Sequence, residues 1–408
     1  MPNEAINATL DLEGLLVLGV SVHDGVAEVV VESQAPAARC PRCLSPTSVI
    51  KGRPISLVRD LPISGHQVVL LWRKKRWICR PCSSSFTESH PEIPTRARMT
   101  TRFRRQLAEE AAFCGNFTGT AARHRVSYHS VAVAHKQGAE LIAASKVAMA
   151  PRAIALDECS FGAGHDYVTV VSDLGRSCTY DVVKGRHEQE LRAWMRTLPQ
   201  SFFDSVEVVV ADLWPPYRRI VKAFLPDAVV VADKFHVIRL GCDAIDRVRK
   251  RVQGSKRSRG DRTHVWVVRK ILARDPATLR PEQAAALRTA LDAEPELATA
   301  HRLLQLLRRI YACTDRHSAS HALDLFVDTT ESTELGEFRY AARALRRRRE
   351  QILNYFDTRV TNALAEGTNT KIQLVKRQAF GLRSFPSFRH RILVQCGRPK
   401  PTEPRLIA

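Results

Sequence analysis

Five short β-branched runs in one stretch of the chain do most to limit its fold: Ala153 to Leu156, Tyr167 to Val171, Cys178 to Val183, Val206 to Ala211 and Ala228 to Ala232. A helix-like segment, His187 to Leu198, separates the third from the fourth, and a second helical pattern, Tyr217 to Phe224, follows the fourth. Three strands, a helix, a strand, a helix and a strand imply an α/β domain with a mixed sheet over residues 152–239.

The rest of the chain differs in character. Residues 1–37 alternate apolar and polar positions (Val20, Val22, Val26, Val29, Val31) and read as a separate segment of short strands. Residues 38–90 carry paired cysteines and a strand-like stretch, Gln67 to Ile78, after which the proline-marked Ser89 to Thr95 reads as a linker. Residues 96–148 switch to helical periodicity, closed by Pro151. Residues 240–355 are almost entirely helical in pattern, with a spacer from Gly254 to Gly260, and 356–396 hold a further helix. The Pro-rich tail 397–408 reads as loose, and no internal repeat is visible.

Charge narrows the partners. The chain carries a net +21 over 408 residues, a surplus that attracts polyanions. It has no apolar run long enough to cross a bilayer and no basic-then-apolar leader, so a soluble, intracellular, nucleic-acid-binding protein is expected. Ten cysteines without a leader argue against a disulfide framework.

Four of those cysteines are paired. Cys40-Pro41-Arg42-Cys43 and Cys79-Arg80-Pro81-Cys82 are Cys-x-x-Cys knuckles, each placing two thiolates on one side of a tight turn, as tetrahedral zinc requires. The stretch between them is longer than the usual roughly 15–20 residues, and a redox dithiol or ordinary buried cysteines are the alternatives. Cys114, Cys159, Cys178, Cys242, Cys313 and Cys396 are scattered and read as core or surface residues. Arg73, Lys74, Lys75 and Arg76, flanked by Trp72 and Trp77, precede the second knuckle and are candidates for phosphate contact. Alternation along a strand keeps all four off one face; a solvated charge run is the alternative, and the neighbouring cysteine pairs and tryptophans favour phosphate contact.

Residues 101–143 read as three helices. Phe103, Leu107 and Ala111 form an apolar face that Gly115-Asn116 ends; Thr118 is a candidate cap for a short second helix; Ser127 caps a third, buried through Val131, Ala134 and Leu141. In a helix-turn-helix, Tyr128, His129 and Ser130 would meet base edges, with Arg123, His124 and Arg125 near phosphates. A generic helical bundle satisfies the same spacing.

Two acids end apolar runs directly. Asp157 follows Ala153-Ile154-Ala155-Leu156, and Asp212 follows Val208-Val209-Val210-Ala211. A third, Glu366, begins a helix in which Asn369, Thr370 and Gln373 share its polar face and Ile372, Val375 and Ala379 the apolar one. Three such carboxylates suit a pair of Mg²⁺ ions acting on a phosphodiester, but periodicity does not single these acids out from the chain's 42.

At these residues the chain resembles the ISL3 family of bacterial insertion-sequence transposases. The resemblance is carried by Ala155-Leu156-Asp157-Glu158, Tyr167 to Asp173, Val210-Ala211-Asp212, Val231 to Val237, Thr361 to Asn369, Lys376-Arg377 and Phe380-Gly381-Leu382-Arg383. With the cysteine and helical segments it covers most of residues 38–395. It implies a DDE-type catalytic domain with an RNase H-like mixed sheet and a large helical insertion (240–355), preceded by a zinc-ribbon-like module and a helix-turn-helix. By likeness, Asp157, Asp212 and Glu366 bind Mg²⁺ or Mn²⁺, Asp233, His236 and Asn369 lie beside the site, and Cys40, Cys43, Cys79 and Cys82 bind Zn²⁺. Lys376, Arg377, Lys256 to Arg259 and Arg346 to Arg349 are candidate DNA contacts, a solvated helix face explaining the last two clusters nearly as well. Double-stranded DNA (terminal inverted repeats and target), a homo-oligomer on that DNA and a bacterial, nucleoid-associated cytoplasmic setting follow as expectations, although no oligomerisation stripe is evident. Thr361-Asn362-Ala363, Glu366-Gly367-Thr368 and Leu44 depart from the family's usual residues without removing a carboxylate. A rival expectation is a catalytically inactive, transposase-derived DNA-binding regulator, and a second is a different metal-dependent nuclease.

Overall fold

The computed structural model describes residues 10–162, 166–253, 264–379 and 384–399, with the side chains of 264, 266 and 363–366 outside that description. The chain forms two compact units, Met1–Ile142 with Leu374–Gln395, and Ala143–Gln373 with Cys396–Ala408.

In the first unit, β1 (Leu15–His23) and β2 (Val26–Ser33) form a hairpin closed by Asp24-Gly25, both at positive φ, a pair suited to a tight two-residue turn. β3 (Ala38–Arg39) pairs with β4 (Pro46–Thr47). β5 (Ile50–Gly52) is followed by β6 (Ile55–Ile63), β7 (His66–Arg73), β8 (Arg76–Ile78) and β9 (Ser85–Thr87). β1, β2, β7 and β6 make one four-stranded sheet in that order, with β2 and β7 parallel, while β5, β8 and β9 make a small sheet beneath the second knuckle. The N-terminal segment is therefore not separate: its hairpin packs Val17, Val29 and Val31 with Val58, Val68, Leu70 and Trp72 from between the cysteine pairs. The strand-like stretch from Gln67 to Ile78 is two strands, β7 and β8, divided between the two sheets. Nor is 89–95 a loose linker, because Ile93 is buried in that core and His90 Nε2 lies 2.8 Å from the Glu13 carbonyl.

Three helices follow, α1 (Thr101–Cys114), α2 (Phe117–Arg123) and α3 (Tyr128–Val147). Thr100 caps α1 and donates to the buried Asp60 of β6 at 2.7 Å, which ties the helices to the strand module. α15 (Phe385–Cys396), expected with the catalytic core, groups here through residue 395: Arg391 donates to the Gly115 carbonyl at 3.0 Å with its guanidinium 4.2 Å over the Phe117 ring.

The second unit opens with β10 (Ala153–Ser160), β11 (Tyr167–Asp173) and β12 (Cys178–Lys184), then α4 (Glu188–Met195), α5 (Gln200–Ser205), β13 (Val208–Ala211), α6 (Pro215–Phe224) and β14 (Val229–Ala232). The sheet order is β12-β11-β10-β13-β14, antiparallel from β12 to β10 and parallel from β10 to β14. Helices follow: α7 (Lys234–Gln253), α8 (His264–Val267), α9 (Pro281–Ala293), α10 (Pro295–Ile310), α11 (Arg316–Glu331), α12 (Gly336–Arg346), α13 (Arg349–Thr358) and α14 (Ala363–Gln378). Their shared core includes Leu304, Leu307, Phe326, Phe338 and Ile352. Gly241 lets α7 approach α10 closely; a Cβ there would lie 2.6 Å from a Leu307 methyl. Lys256 to Arg259, Phe380 to Arg383 and the tail from 400 lie outside the described residues.

Candidate active site

Register places the acids. Leu156 pairs with Ala211, and Ala211 with Ala232, across three parallel strands. Asp157, Asp212 and Asp233 each come one residue later, so they form a row across the sheet, just past the last residues of β13 and β14 and midway along β10. The latter runs on past the expected strand end to Ser160, and adjacent strands lie about 4.8 Å apart. The Asp233 N–H donates to the Ala211 carbonyl at 3.0 Å and continues the ladder to the end of the row. Sequence reasoning set Asp233 beside the site only. The missed signal is a repeated pentapeptide: Val208-Val209-Val210-Ala211-Asp212 recurs as Val229-Val230-Val231-Ala232-Asp233, and identical strand ends in adjacent parallel strands deliver identical side chains to one edge.

Helix α14 brings a fourth position. Asn369 Nδ2 donates to Asp157 Oδ2 at 2.7 Å, and one turn on, Gln373 Nε2 donates to Cys159 Sγ at 3.3 Å. The polar face of α14 is thus the face against β10, while Ile372 and Val375 are buried as expected. Glu366 lies in the first turn of the same helix, three residues before Asn369; its side chain is outside the described residues. Asn369 Oδ1 is buried beside Asp157 with no hydrogen-bond partner among the described residues. An orphaned acceptor next to carboxylates suits a hard cation, whose ligands are oxygens.

His236, at the start of α7, faces two members of the row. Its Nδ1 is 2.9 Å from Asp233 Oδ2 and its Nε2 3.7 Å from Asp212 Oδ2. Burial alone would lower its pKa, but the hydrogen bond to Asp233 and the charges of Asp212, Asp233 and Asp157 raise it. Burial also works to raise Asp233, yet His236, Asn362 (3.1 Å) and the Phe235 N–H hold it below the usual carboxylate range. Asp157, 7% exposed, is pushed up, chiefly by burial. Glu158 rises for the same reason, opposed by Arg186 at 3.0 Å. Asn362 and Arg186 thus contact acids at and beside the row, at positions that no local pattern announced.

The four knuckle cysteines also converge. Their sulfurs all lie within 4.8 Å of one another, Cys40 3.6 Å from Cys82 and Cys43 3.5 Å from Cys79. Four sulfurs on one zinc at roughly 2.3 Å sit roughly 3.8 Å apart, so the cluster fits tetrahedral zinc.

The basic candidates divide. Arg76 is exposed, Arg73 lies 3.7 Å from Glu32, and the Lys74 ammonium sits 4.4 Å over the Trp72 ring. Lys75 is a correction: it is 7% exposed, and its ammonium donates to the Ser33 and Ala35 carbonyls at 2.7 and 2.9 Å, which closes the end of β2 and leaves no access for a phosphate. In the helical segment Arg125, Tyr128 and His129 are exposed, while Ser130 is half-buried, its N–H donating to the capping Ser127 Oγ at 3.1 Å. Arg123 pairs with Glu110, and His124, expected near phosphates, is buried 2.7 Å from the same glutamate. Asn116, not Thr118, caps α2, and Leu141 is 68% exposed because the buried stripe of α3 runs through Val131, Ala134, Ala139 and Ile142. Lys376 and Arg377 lie in the last turn of α14. No helix among the described residues is long and apolar enough to cross a membrane.

Comparison with known proteins bears on these geometries. Residues 154–392, more than half of the chain, match the profile of the ISL3 transposases. Residues 36–82 match the zinc-finger of transposase IS204/IS1001/IS1096/IS1165, and 88–132 the helix-turn-helix domain of transposase family ISL3. The chain is 26% identical over 365 residues to the transposase for insertion sequence element IS1001 of Bordetella parapertussis, covering 88% of this chain and 89% of that one. It is 27% identical over 255 residues to the transposase for insertion sequence element IS1557 of Mycobacterium tuberculosis, covering 57% of each.

Proposed function

This chain belongs to the ISL3 family of insertion-sequence transposases, and from that premise we propose that it binds the terminal inverted repeats of its element, cuts a strand at each end and joins the freed 3′-hydroxyl to target DNA. The zinc ribbon, with Zn²⁺ on Cys40, Cys43, Cys79 and Cys82, and the helix-turn-helix grip the repeat, Tyr128, His129 and Ser130 at the bases. The sheet order β12-β11-β10-β13-β14 supports an RNase H-like core. Because two ends must meet, the working form is a homo-oligomer on DNA.

The observation that carries this reading is the shared register of Asp157 and Asp212, with Asn369 of α14 on Asp157. That contact supports bringing Glu366, one turn earlier on α14, to the same edge. Asp157, Asp212 and Glu366 would then hold Mg²⁺ or Mn²⁺, which when bound supplies Lewis-acid stabilisation of the attacking and leaving oxygens. Asn369 fixes Asp157, and Asp233 orients His236 against Asp212. In cleavage, a water oxygen bonds to phosphorus as the P–O3′ bond breaks, leaving a 3′-hydroxyl; that hydroxyl then displaces a 3′-oxygen of the target, one phosphodiester being exchanged for another.

The test uses the full chain, a supercoiled plasmid carrying the element's ends, and Mg²⁺ or Mn²⁺. Nicks are expected at the ends, and Asp212→Asn should lose at least about a hundredfold in rate, the scale of removing one preorganised electrostatic group, while still binding the ends. Cutting by Asp212→Asn at the native rate overturns the site.

A further inference from the structure

Beside the aspartate row, the second unit holds a cavity of about 530 Å³ whose lining includes Leu213, Trp214, Arg218, Tyr340, Arg347 and Arg348. Leu213 and Trp214 directly follow Asp212, so the cavity adjoins the end of β13. Its charge is unusual. In the run Arg346 to Arg349, the outer two are paired, Arg346 with Glu331 at 2.8 Å and Arg349 with Asp324 at 2.9 Å. Arg347 and Arg348 form the break between α12 and α13 and line the cavity. Arg219 is held by Glu188 at 2.7 Å. Arg218, Arg347 and Arg348 make no ion pair or side-chain hydrogen bond among the described residues. Burial, then the charges of Arg218 and Arg347, push Arg348 below the usual guanidinium range, against the opposing pull of Asp212. Three like charges converge with no carboxylate in hydrogen-bond contact among the described residues and only the charge of Asp212 opposing them, and an anion there relieves the repulsion.

The other walls say which anion. Tyr340 is 58% exposed, and Trp214 lines the same space. Guanidiniums with aromatic rings in a concave site are the chemistry of unpaired nucleotides: phosphate oxygens take the forks and the base takes a ring face. The volume lies in the range of sites that enclose one small molecule, and does not admit a base-paired duplex. We propose that this cavity receives one unpaired nucleotide of the strand next to the scissile linkage, with its phosphate on Arg218, Arg347 and Arg348 and its base against Tyr340 and Trp214. Unstacking a base has a cost, and the released charge repulsion offsets part of it. The inference rests on the transposase reading only for which strand is held; nucleotide binding itself can be tested without cutting.

The probe is a short single-stranded oligodeoxynucleotide carrying 5-iododeoxyuridine, irradiated with the full chain in the absence of divalent metal, the adducts then being mapped by mass spectrometry. Adducts are expected on Tyr340 or Trp214. They should fall about tenfold, the scale of one lost stacking contact, in Tyr340→Ala and in the Arg347→Ala/Arg348→Ala pair, with Arg218→Ala as a second charge variant should that pair not fold. Asp212→Asn should keep the adducts while losing plasmid cutting, which separates this inference from the catalytic one. Absence of adducts at both rings, equal adducts from a blunt duplex of the same sequence, or indifference to the folded arginine variants would overturn the proposal.

Discussion

The thiolate cluster and the aspartate row are built on opposite plans. Each cysteine pair sits on its own tight turn, and β5, β8 and β9 bring the turns together; sulfurs that close have little reason to stay without a metal among them. The aspartates are set by the register of three buried parallel strands, whose Val209, Val210, Val231 and Leu156 pack regardless of what the next residue is. The first arrangement would depend on a metal to hold it. The second is an edge set by strand register, which stands with or without a cation. Removing metal should therefore damage the first and leave the second standing.

The largest effect expected from that contrast is on the first unit. Structural zinc contributes roughly 10–16 kcal/mol of apparent binding energy in zinc-finger peptides. Cys79→Ser or chelation should abolish stoichiometric zinc and raise hydrogen exchange through β5, β8 and β9, while β10 to β14 keep their protection. Unchanged exchange across the small sheet after complete chelation would mean that the cysteines are ordinary core residues, and the contrast would collapse. Repeat binding should fall with the zinc, since the knuckle strands and helix α1 belong to one unit.

A smaller effect of opposite sign is expected at the row. Burial disfavours ionised Asp157, so Asp157→Asn should stabilise the metal-free second unit, on the scale of about 1 kcal/mol for an ordinary substitution, and abolish Mg²⁺-dependent cutting. Differential scanning with and without Mg²⁺ checks both: the variant should melt higher without the cation, and only the native chain should gain from adding it. A variant that melts lower than the native chain without Mg²⁺ would show that Asp157 is a structural hydrogen-bonding group first.

How much of this was legible follows from the same contrast. The cysteine cluster could be read from Cys40, Cys43, Cys79 and Cys82 alone because two-residue spacing fixes local geometry. What lay between the knuckles could not, since β7 pairs on one side with β6 and on the other with β2, from before residue 38, a long-range pairing with no local signature. Strand β10 runs on past Asp157 to Ser160, and the one helix expected before β13 is two, α4 and α5, but the order of strands from β10 to β14 was readable from β-branched runs, and so was the end at Asp212. Register was not: only pairing shows that Asp233 joins them. Lys75 was misread because nothing in the run Arg73 to Arg76 says which member turns inward to close the end of another strand. Leu141 failed for the converse reason, an apolar residue counted one position off a stripe that Ala139 and Ile142 carry.

The smallest expected effect, and the one that sharpens the contrast most, is in pH. Asp233, Asp212 and Asp157 raise the pKa of His236 above 6.5. A histidine whose folded pKa exceeds its unfolded one stabilises fully below the unfolded value, and that contribution is lost as pH rises through the folded value. Without divalent cation, the second unit should therefore lose stability above pH 6.5, with a slope from this group no steeper than about 1.4 kcal/mol per pH unit. The zinc site runs the other way, because thiolates must shed protons to bind and its metal-linked stability grows with pH. Hydrogen exchange followed separately in β10–β14 and in β5, β8 and β9 over that window should show opposite trends, and His236→Gln should flatten the first without touching the second. Parallel trends in the two sets of strands would mean that the aspartate row is not held against its own charge by His236, and that the edge is more closely satisfied by the fold than its geometry indicates.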